Sequence, residues 1–208
     1  MNVVVYGATG NSGKEIVKEL LRRGHKVTAV ARKVESLQGL AGVAVKADDL
    51  SDVDKIAAII KGADAVVSAY APPADQTDAI IDVTRRQIEA VGKVGGRLAV
   101  VGGAGLLEVA PGVTLIKSGH LPAQYMPIAT SHEKALGLLR ASDINWIYLS
   151  PGAFFVEGER TGKFRLGTKE LITDAKGESR ISFADYAIAL VDELEKPKHE
   201  RASFSVGY

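Results

Sequence analysis

A glycine-rich loop between an apolar strand and a helix is the feature that most constrains the fold of this chain. Residues 3–6 (Val-Val-Val-Tyr) predict a buried strand, residues 7–13 (Gly-Ala-Thr-Gly-Asn-Ser-Gly) follow at once, and helical spacing of apolar residues begins near residue 12. In such a loop glycine allows a tight turn, a close approach of backbone to a ligand, and close packing of the helix on the strand. The N–H groups that begin the helix attract phosphate. The predicted contacts with the pyrophosphate of a dinucleotide are Gly7, Thr9, Gly10, Asn11, Ser12 and Gly13.

The glycines of this loop are spaced Gly-x-x-Gly-x-x-Gly. This matches the Gly-x-Gly-x-x-Gly fingerprint of dinucleotide-binding proteins in mechanism and not letter for letter. The alternative is a glycine-rich turn that binds nothing. The order of strand, loop and helix favours the dinucleotide site, because that order puts helix N–H groups next to the glycines.

The rest of the chain repeats the alternation of short apolar runs with helical stretches, which is typical of βαβ units and a parallel sheet. The predicted strands are residues 2–6, 26–31, 43–46, 64–69, 97–102 and 145–150, with a short seventh compatible with residues 203–207. The predicted helices are residues 12–23, 33–38, 52–61, 75–92, 128–141 and 183–194. The sequence therefore predicts one α/β domain over residues 1–208, a Rossmann-type doubly wound parallel sheet of six to seven strands.

Two stretches fall outside the repeating unit, residues 103–127 and residues 151–182. Connections of this length in a compact domain are usually functional. Both follow the carboxyl ends of predicted strands, where open α/β sheets bind their ligands. We expect them to form the substrate side of the site.

Composition excludes several classes of protein. The net charge of +1 provides no broad field for nucleic acid or an anionic membrane. The absence of cysteine excludes disulfides, thiolate nucleophiles and cysteine-bound metals, and no spacing of histidine and carboxylate predicts a metal site. No segment approaches the roughly 20 apolar residues of a membrane span. We expect a cytoplasmic protein, a monomer or homodimer, that binds neither nucleic acid nor membrane.

The end of the second predicted strand indicates the cofactor. An acidic residue there would hold the ribose 2′-hydroxyl of NAD, but the sequence is Ala31-Arg32-Lys33. No carboxylate repels a 2′-phosphate, and the guanidinium of Arg32 can bind one with two hydrogen bonds. NADP(H) is therefore predicted over NAD(H), with a solvated pair of basic residues as the alternative.

The end of the third predicted strand, Asp48-Asp49-Leu50, lies where adenine would rest. Asp49 is the predicted acceptor of the adenine amino group, and Leu50 is predicted to lie beneath the ring. Asp48 is expected to be a helix cap or a surface charge.

These features together resemble the atypical short-chain dehydrogenase/reductases, in particular the NmrA-like branch with the NADH-flavin reductases and biliverdin reductase B-type flavin reductases. The resemblance covers nearly the whole chain. It is carried by residues 7–13, Arg32, Asp49-Leu50, Ser68-Ala69, residues 102–105, residues 148–154 and residues 180–187. It implies that Ser68 and Ala69 pass under the cofactor and that backbone after Pro151, at Gly152, meets the carboxamide. It also implies that Gly102 and Gly103 line the nicotinamide.

One departure from that family bears on the reaction. Ordinary members carry Tyr-x-x-x-Lys on the fifth helix, and the matching register here is Thr130 to Lys134. Lys134 either holds the ribose hydroxyls or is an exposed helix lysine. Threonine is a poor proton donor, so reduction of a carbonyl by the usual route is in doubt. Hydride transfer to a flavin gives a delocalised anion and tolerates the loss.

We therefore expect NADPH-dependent hydride transfer to a flavin, a quinone or a similar planar acceptor, with FMN or FAD as candidate substrates. The aromatic residues predicted to form the slot are Tyr125, Phe154 and Phe155, with core packing as the alternative for the phenylalanines. The candidate catalytic residues are Lys134, Tyr125 and His132, with a plain surface position as the alternative for the histidine. Two other functions stay open, a non-catalytic NADP sensor of the NmrA type and a nucleotide-sugar epimerase or dehydratase.

Overall fold

A computed structural model describes residues 1–37 and 42–208 of the chain. Its strands are β1 (Asn2–Tyr6), β2 (Lys26–Ala31), β3 (Val43–Ala47), β4 (Ala65–Ser68), β5 (Arg97–Val101), β6 (Glu108–Ala110), β7 (Val113–Thr114), β8 (Asn145–Pro151), β9 (Phe154–Val156), β10 (Arg165–Gly167), β11 (Arg180–Ser182) and β12 (Ala202–Gly207). Its α-helices are α1 (Asn11–Arg22), α2 (Val53–Ile60), α3 (Ala79–Val94), α4 (Met126–Ala141) and α5 (Phe183–Glu195). None of the helices in the described ranges is long and apolar enough to cross a membrane.

The main sheet has eight strands in the order β10-β12-β8-β5-β4-β1-β2-β3. Seven of them are parallel, and β10 pairs antiparallel with β12 at one edge. The Rossmann-type fold class is thus confirmed. The predicted count of six to seven strands is one too low, because it leaves out the edge strand β10. That strand is only three residues long, and its backbone pairs with the last strand of the chain, so the local sequence carries little sign of it.

Two apolar layers cover the sheet, because successive side chains of a buried strand point to opposite faces. Val3 and Val5 of β1 face the layer formed by α1 and α5, whereas Val4 and Tyr6 face the layer formed by α2, α3 and α4. Apolar residues recur at helical spacing on each covering helix, as in α1, where Ile16 and Leu20 are fully buried. The sheet order changes direction between β1 and β4, which fixes where a ligand crevice opens.

Two predicted helices differ from the structure. The helix predicted over 75–92 begins only at Ala79, because the residues after Pro73 form successive turns in which the amide of Gln76 bonds the carbonyl of Pro73. The helix predicted over 33–38 is a single 3-10 turn at Glu35–Leu37, and its last predicted residue lies outside the described ranges.

The two stretches predicted as irregular contain short pieces of regular structure. Residues 103–127 hold a 3-10 turn, the hairpin of β6 and β7, and a second 3-10 turn at Ala123–Tyr125. Residues 151–182 hold β9, β10 and β11, of which β9 and β11 pair in parallel. The two stretches also meet, since Glu108 exchanges backbone hydrogen bonds with Lys169 at 2.7 Å and Leu171 at 2.9 Å. Backbone hydrogen bonds therefore join the two stretches to each other.

Candidate functional site

A cleft of about 140 Å³ opens at the carboxyl ends of β1, β2, β3 and β4. It lies at the point where the strand order reverses, which is where doubly wound sheets bind dinucleotides. Of the residues predicted from the sequence, it brings together Gly7, Thr9, Gly10, Arg32, Asp49, Leu50 and Ala69. Its other lining residues are Tyr6, Val30, Ala31, Asp48, Tyr70 and Ala71.

Two glycines of the loop are required by direct backbone contacts. Gly7 has φ +73°, and a Cβ placed on it would lie 2.3 Å from the carbonyl oxygen of Ala69. A Cβ on Gly13 would lie 2.1 Å from the carbonyl oxygen of Gly7. Both distances are far below any real contact, so neither position accepts a side chain without movement of the backbone. The loop is therefore packed between the start of α1 and the end of β4.

The start of α1 faces the cleft without a capping side chain. Gly10 is the N-cap and, within the described part of the chain, no side chain bonds to the first turn and no acidic residue lies in it. Thr9, Gly10 and Asn11 are exposed, and Ser12 is half-buried. Because the first N–H groups of a helix have no partner within the helix, they are available to an anion at this position.

Arg32 and Lys33 are both exposed at the end of β2, and Arg32 lines the cleft. On the neighbouring strand the two aspartates differ from expectation. The side chain of Asp48 is fully buried, with Lys55 Nζ 3.2 Å from Oδ1, so the expectation of a surface charge or cap is wrong. Burial, with Asp48 nearby, raises the pKa of the Tyr6 hydroxyl.

Asp49 is exposed, and its Oδ1 accepts hydrogen bonds from Ser51 N at 3.0 Å and Ser51 Oγ at 2.6 Å. The bonds from Ser51 lower the pKa of its carboxyl. Leu50 is buried and has φ 63°, a left-handed conformation that is uncommon for a branched side chain. Arg86 donates a hydrogen bond to the Leu50 carbonyl at 3.1 Å. The turn after β3 is thus held in a strained conformation at the edge of the cleft, as often occurs at ligand sites.

A larger hollow, of about 480 Å³, lies at the opposite ends of the strands. Asn2, Lys26, Gly42 and Lys61 are among its lining residues. It is at the amino ends of β1 and β2, away from the glycine loop, where open α/β sheets do not bind their ligands. The smaller cleft is therefore the candidate site.

The residues predicted for the nicotinamide half lie on the other side of the reversal point. Ser68 ends β4, and Gly102 follows β5, where its amide bonds the Leu149 carbonyl at 2.9 Å. A Cβ on Gly102 would lie 2.3 Å from the ring of Tyr148. A Cβ on Gly152, which follows Pro151 at the end of β8, would lie 2.8 Å from the Arg180 amide nitrogen. Gly102 and Gly152 are therefore required by their contacts with Tyr148 and with the backbone of Arg180, whether or not a ligand binds there.

The predicted catalytic register on α4 has a lysine without a tyrosine. Lys134 is exposed, and its Nζ lies 3.8 Å from Oδ1 of Asp78, the residue that precedes α3. Thr130 is half-buried on the same helix. His132, between them, accepts or donates a 2.8 Å hydrogen bond at Nδ1 with the hydroxyl of Tyr148. Desolvation lowers the pKa of His132 to about 4, so its imidazole is neutral at pH 7.

The three predicted slot aromatics occupy different environments. Tyr125, just before α4, is 52% exposed, and Phe154 in β9 is 64% exposed. Phe155 instead packs against Phe183 at 4.5 Å and Tyr186 at 4.7 Å between ring centroids. Successive side chains of a strand point to opposite faces, so Phe154 faces solvent while Phe155 faces the protein. Phe155 therefore belongs to the edge of the core. Tyr125 and Phe154 stay as candidates for a planar ligand.

Comparison with known proteins decides the family. The model of the NAD(P)H-binding family matches residues 7–197, from the first glycine of the loop to beyond α5. The chain belongs to this family. Its expected place among the atypical short-chain dehydrogenase/reductases, beside the NADH-flavin reductases, is confirmed, and epimerase-like members are found there too. Its assignment to the NmrA-like branch stays a prediction.

Three relatives span nearly all of this chain and of their own. YwnB, an uncharacterized protein of Bacillus subtilis (strain 168), is 40% identical over 99% of this chain and 98% of its own length. A Bacteroides thetaiotaomicron structure provisionally named an epimerase is 41% identical with a TM-score of 0.92, over 100% of this chain and 96% of that one. A Streptococcus pneumoniae TIGR4 structure provisionally named an NADH-flavin reductase is 33% identical with a TM-score of 0.91, over 100% and 99%.

Some residues of the site were not expected from the sequence. Tyr70 and Ala71 line the cleft directly after Ser68-Ala69, and their position just past a strand end is the signal that would have indicated them. Tyr148 lies inside β8 and reads as an ordinary core residue. Its contact with His132 joins two elements that the sequence does not relate, so no local pattern reveals it.

Proposed function

We propose that this protein is an NADPH-dependent oxidoreductase that transfers hydride to a flavin, a quinone or a similar planar acceptor. The observation that carries the proposal is the glycine loop, whose backbone packing leaves the uncapped start of α1 facing the cleft. Membership of the NAD(P)H-binding family and the name of the streptococcal relative support the same function.

The exposed aromatic rings and the missing tyrosine favour a planar acceptor. Tyr125 and Phe154 present apolar surface beside the carboxyl ends of the strands, and flat ligands bind such surface. Transfer of hydride to a flavin needs no strong acid, because the anion that forms is delocalised over the ring. In this proposal NADPH supplies the hydride, and the protein supplies alignment and exclusion of water.

Steady-state oxidation of NADPH tests the proposal, with FMN and a water-soluble benzoquinone as separate acceptors. We expect turnover of at least about one per second with one of them, which is ordinary for an enzyme. No turnover with either acceptor at saturation, in a protein that binds NADPH, would favour the sensor described below.

The preference for NADP(H) is supported by Arg32, whose exposed guanidinium lines the cleft at the end of β2. We expect Arg32→Glu to weaken NADPH binding by about 30-fold or more, because it removes a charge-assisted pair and adds repulsion, and to leave NADH binding nearly unchanged. Titration of cofactor fluorescence measures both constants. Lys61→Glu is the matched control, since Lys61 is exposed and lies outside the cleft. Equal affinity of the parent protein for NADPH and NADH would contradict the preference.

A second candidate function is a non-catalytic NADP sensor, and the state of Lys134 favours it. The lysine contacts Asp78 and no tyrosine precedes it in the expected register, so the usual proton-transfer pair is lacking on α4. Such a sensor would bind NADPH with the same preference and act through a partner protein. The turnover assay above separates it from the reductase.

An epimerase or dehydratase is the third candidate, favoured by the name of the Bacteroides relative. Such an enzyme recycles its nicotinamide within each turnover, so it would show no net oxidation of NADPH. If this chain has that activity, it should convert a nucleotide-linked sugar to product without any added hydride acceptor.

For the reductase we propose a cytoplasmic monomer or homodimer, in keeping with the complete lack of cysteine. Cell fractionation and size-exclusion chromatography with light scattering test these two points.

A further inference from the structure

A buried tyrosine hydroxyl links the end of β5 to α4. Tyr148 has no exposed surface, and its hydroxyl lies 3.1 Å from the amide nitrogen of Gly103 and 2.8 Å from Nδ1 of His132. The ring of His132 meets the ring of Tyr148 edge-on, with centroids 6.0 Å apart. Gly102 is fitted against the same tyrosine, since a Cβ there would overlap its ring. Tyr148, which is itself held by Gly102 and Gly103, therefore fixes the position of this imidazole.

The hydrogen bonds of this chain determine which nitrogen of His132 carries the proton. An amide N–H only donates, so the Tyr148 oxygen accepts from Gly103. The phenolic O–H is buried, and among the described residues its one available acceptor is Nδ1 of His132. A buried O–H without an acceptor loses its hydrogen bond to water and gains none in return, so Tyr148 donates to Nδ1. Neutral His132 consequently carries its proton on Nε2.

His132 lies next to Gly103, at the carboxyl end of β5. A dinucleotide with its pyrophosphate at α1 and its 2′-phosphate at Arg32 would extend its other half toward β4 and β5, because the strand order reverses between β1 and β4. His132 stands over Gly103, directly after β5, where its Cδ2 and Nε2 lie 3.4 and 3.7 Å from the position of an added Cβ. The residue is half-buried, and within the described ranges Nε2 makes no hydrogen bond.

We propose that His132 is a catalytic residue that donates a hydrogen bond from Nε2–H to a carbonyl oxygen of the acceptor, and that Tyr148 is the positioning residue that fixes its tautomer. The inference rests on the proposed reductase function and deepens it, because it requires an acceptor with a carbonyl oxygen on which negative charge develops. The neutral imidazole acts as a fixed donor and not as an acid.

The reaction balances with a quinone as acceptor. The quinone takes two electrons and one proton as hydride from C4 of NADPH, which leaves as NADP⁺, and becomes the hydroquinone monoanion. His132 stabilises the charged oxygen of that anion through Nε2–H and keeps its proton. Water then protonates the oxygen to give the hydroquinone. A flavin spreads the same charge over its ring, so it depends less on this donor.

Three variants test the proposal, with turnover measured on a benzoquinone and on FMN. His132→Phe keeps a ring and removes the donor, and we expect quinone turnover to fall about 100-fold and FMN turnover about 10-fold or less. His132→Gln presents an amide N–H near the position of Nε2, and we expect it to recover at least about one tenth of parent turnover. Tyr148→Phe keeps the packing against Gly102, and we expect a loss of about 10-fold. Binding of NADPH and the melting temperature show whether each variant is folded.

A spectroscopic measurement tests the tautomer apart from activity. Long-range ¹H–¹⁵N spectra of histidine-labelled protein at pH 7, with the His132→Phe variant for assignment, should show His132 protonated at Nε2 in the parent. In Tyr148→Phe the same signals should move toward a mixture of tautomers, which a merely structural tyrosine would not cause. A parent protein protonated at Nδ1 overturns the inference. The inference is also overturned if the parent protein is active and His132→Phe keeps its quinone turnover. A parent with no turnover on any acceptor overturns the proposed function as well.

Discussion

The glycine loop and the stretch 151–182 both lie at the carboxyl ends of strands, yet they are held in different ways. The loop is fixed by backbone contacts, with Gly7 against Ala69 and Gly13 against Gly7. The stretch is held by side chains that meet buried carboxylates far along the chain. Arg160 binds Glu19, and Thr161 binds Asp185. Backbone contacts such as those of Gly7 and Gly13 can be predicted from the local sequence, because only glycine fits there. Side-chain contacts such as those of Arg160 and Thr161 cannot be predicted in this way, since many arginines and threonines have no such partner.

The largest expected effect tests the backbone side of this comparison. Gly7→Ala puts a Cβ both in a left-handed conformation and 2.3 Å from the Ala69 carbonyl oxygen. Strain of about 1–2 kcal/mol and overpacking of about 1–3 kcal/mol should combine to lower the free energy of unfolding by about 3–4 kcal/mol and abolish NADPH binding. Urea unfolding measures the first, and fluorescence titration the second.

Gly24→Ala is the matched control for that prediction. Gly24 has φ +77°, but a Cβ there would meet nothing within 4 Å. The variant should lose only the conformational part, about 1 kcal/mol, and bind NADPH normally. Equal losses at the two glycines would mean that the contact with Ala69 contributes nothing, and the comparison would then break.

The second prediction tests the side-chain side. Asp185 is fully buried and accepts hydrogen bonds from Thr161 N at 2.8 Å, Thr161 Oγ1 at 2.6 Å, Gly162 N at 2.8 Å and Tyr208 Oη at 2.8 Å. Asp185→Ala leaves these donors without a partner, so we expect a loss of about 2–3 kcal/mol in urea unfolding. The KM of the acceptor should rise and the Kd of NADPH should stay constant.

The control is Asp192→Ala on the same helix, a carboxylate that is half-exposed and paired with Arg23. Its loss should be below about 1 kcal/mol. If Asp185→Ala weakens NADPH binding as much as it raises the acceptor KM, the stretch is not a separate acceptor wall.

The same division explains what the sequence predicts. Gly7 and Gly10 follow the end of β1 and Arg32 follows the end of β2, so each is predicted from its local sequence, and the structure brings all three into one cleft. The expectation for Asp48 is wrong, because the residue is buried near Tyr6 of β1, two strands away, and its local sequence does not reveal that contact. The edge strand β10 was missed for a similar reason, since its partner is the end of the chain.

The third prediction concerns pH and the buried carboxylate of Glu19. Hydrogen bonds from Arg160, and then from Arg23, outweigh burial and lower its pKa from 4.5 to about 2. Because the folded pKa is the lower one, the stabilisation is fully present above about pH 4.5 and is lost as the pH falls toward 2. Glu19→Gln should therefore be less stable than the parent by about 1–2 kcal/mol at pH 7, with the gap closing in acid. Urea unfolding at several pH values measures this gap.

Glu15→Gln is the control on the same helix face of α1, where the carboxylate pairs with exposed Lys18 at 2.7 Å. Its effect should stay below about 0.5 kcal/mol at every pH. A gap for Glu19→Gln that stays constant down to pH 2 would show that the arginines hold the stretch by packing rather than by charge.

The smallest expected effect belongs to Lys134, which sequence register alone singles out. Its partner Asp78 lies 3.8 Å away, and both side chains are more than half exposed. Pairs of this kind contribute about 0–1 kcal/mol, so Lys134→Ala should change stability little and the Kd of NADPH by less than about threefold. A tenfold loss of NADPH binding would instead show that the lysine leaves Asp78 to hold the ribose. In that case the motif from Thr130 to Lys134 would predict a cofactor contact as well as the glycine loop does. Its lysine would keep the role it has in the family, and only the tyrosine would differ.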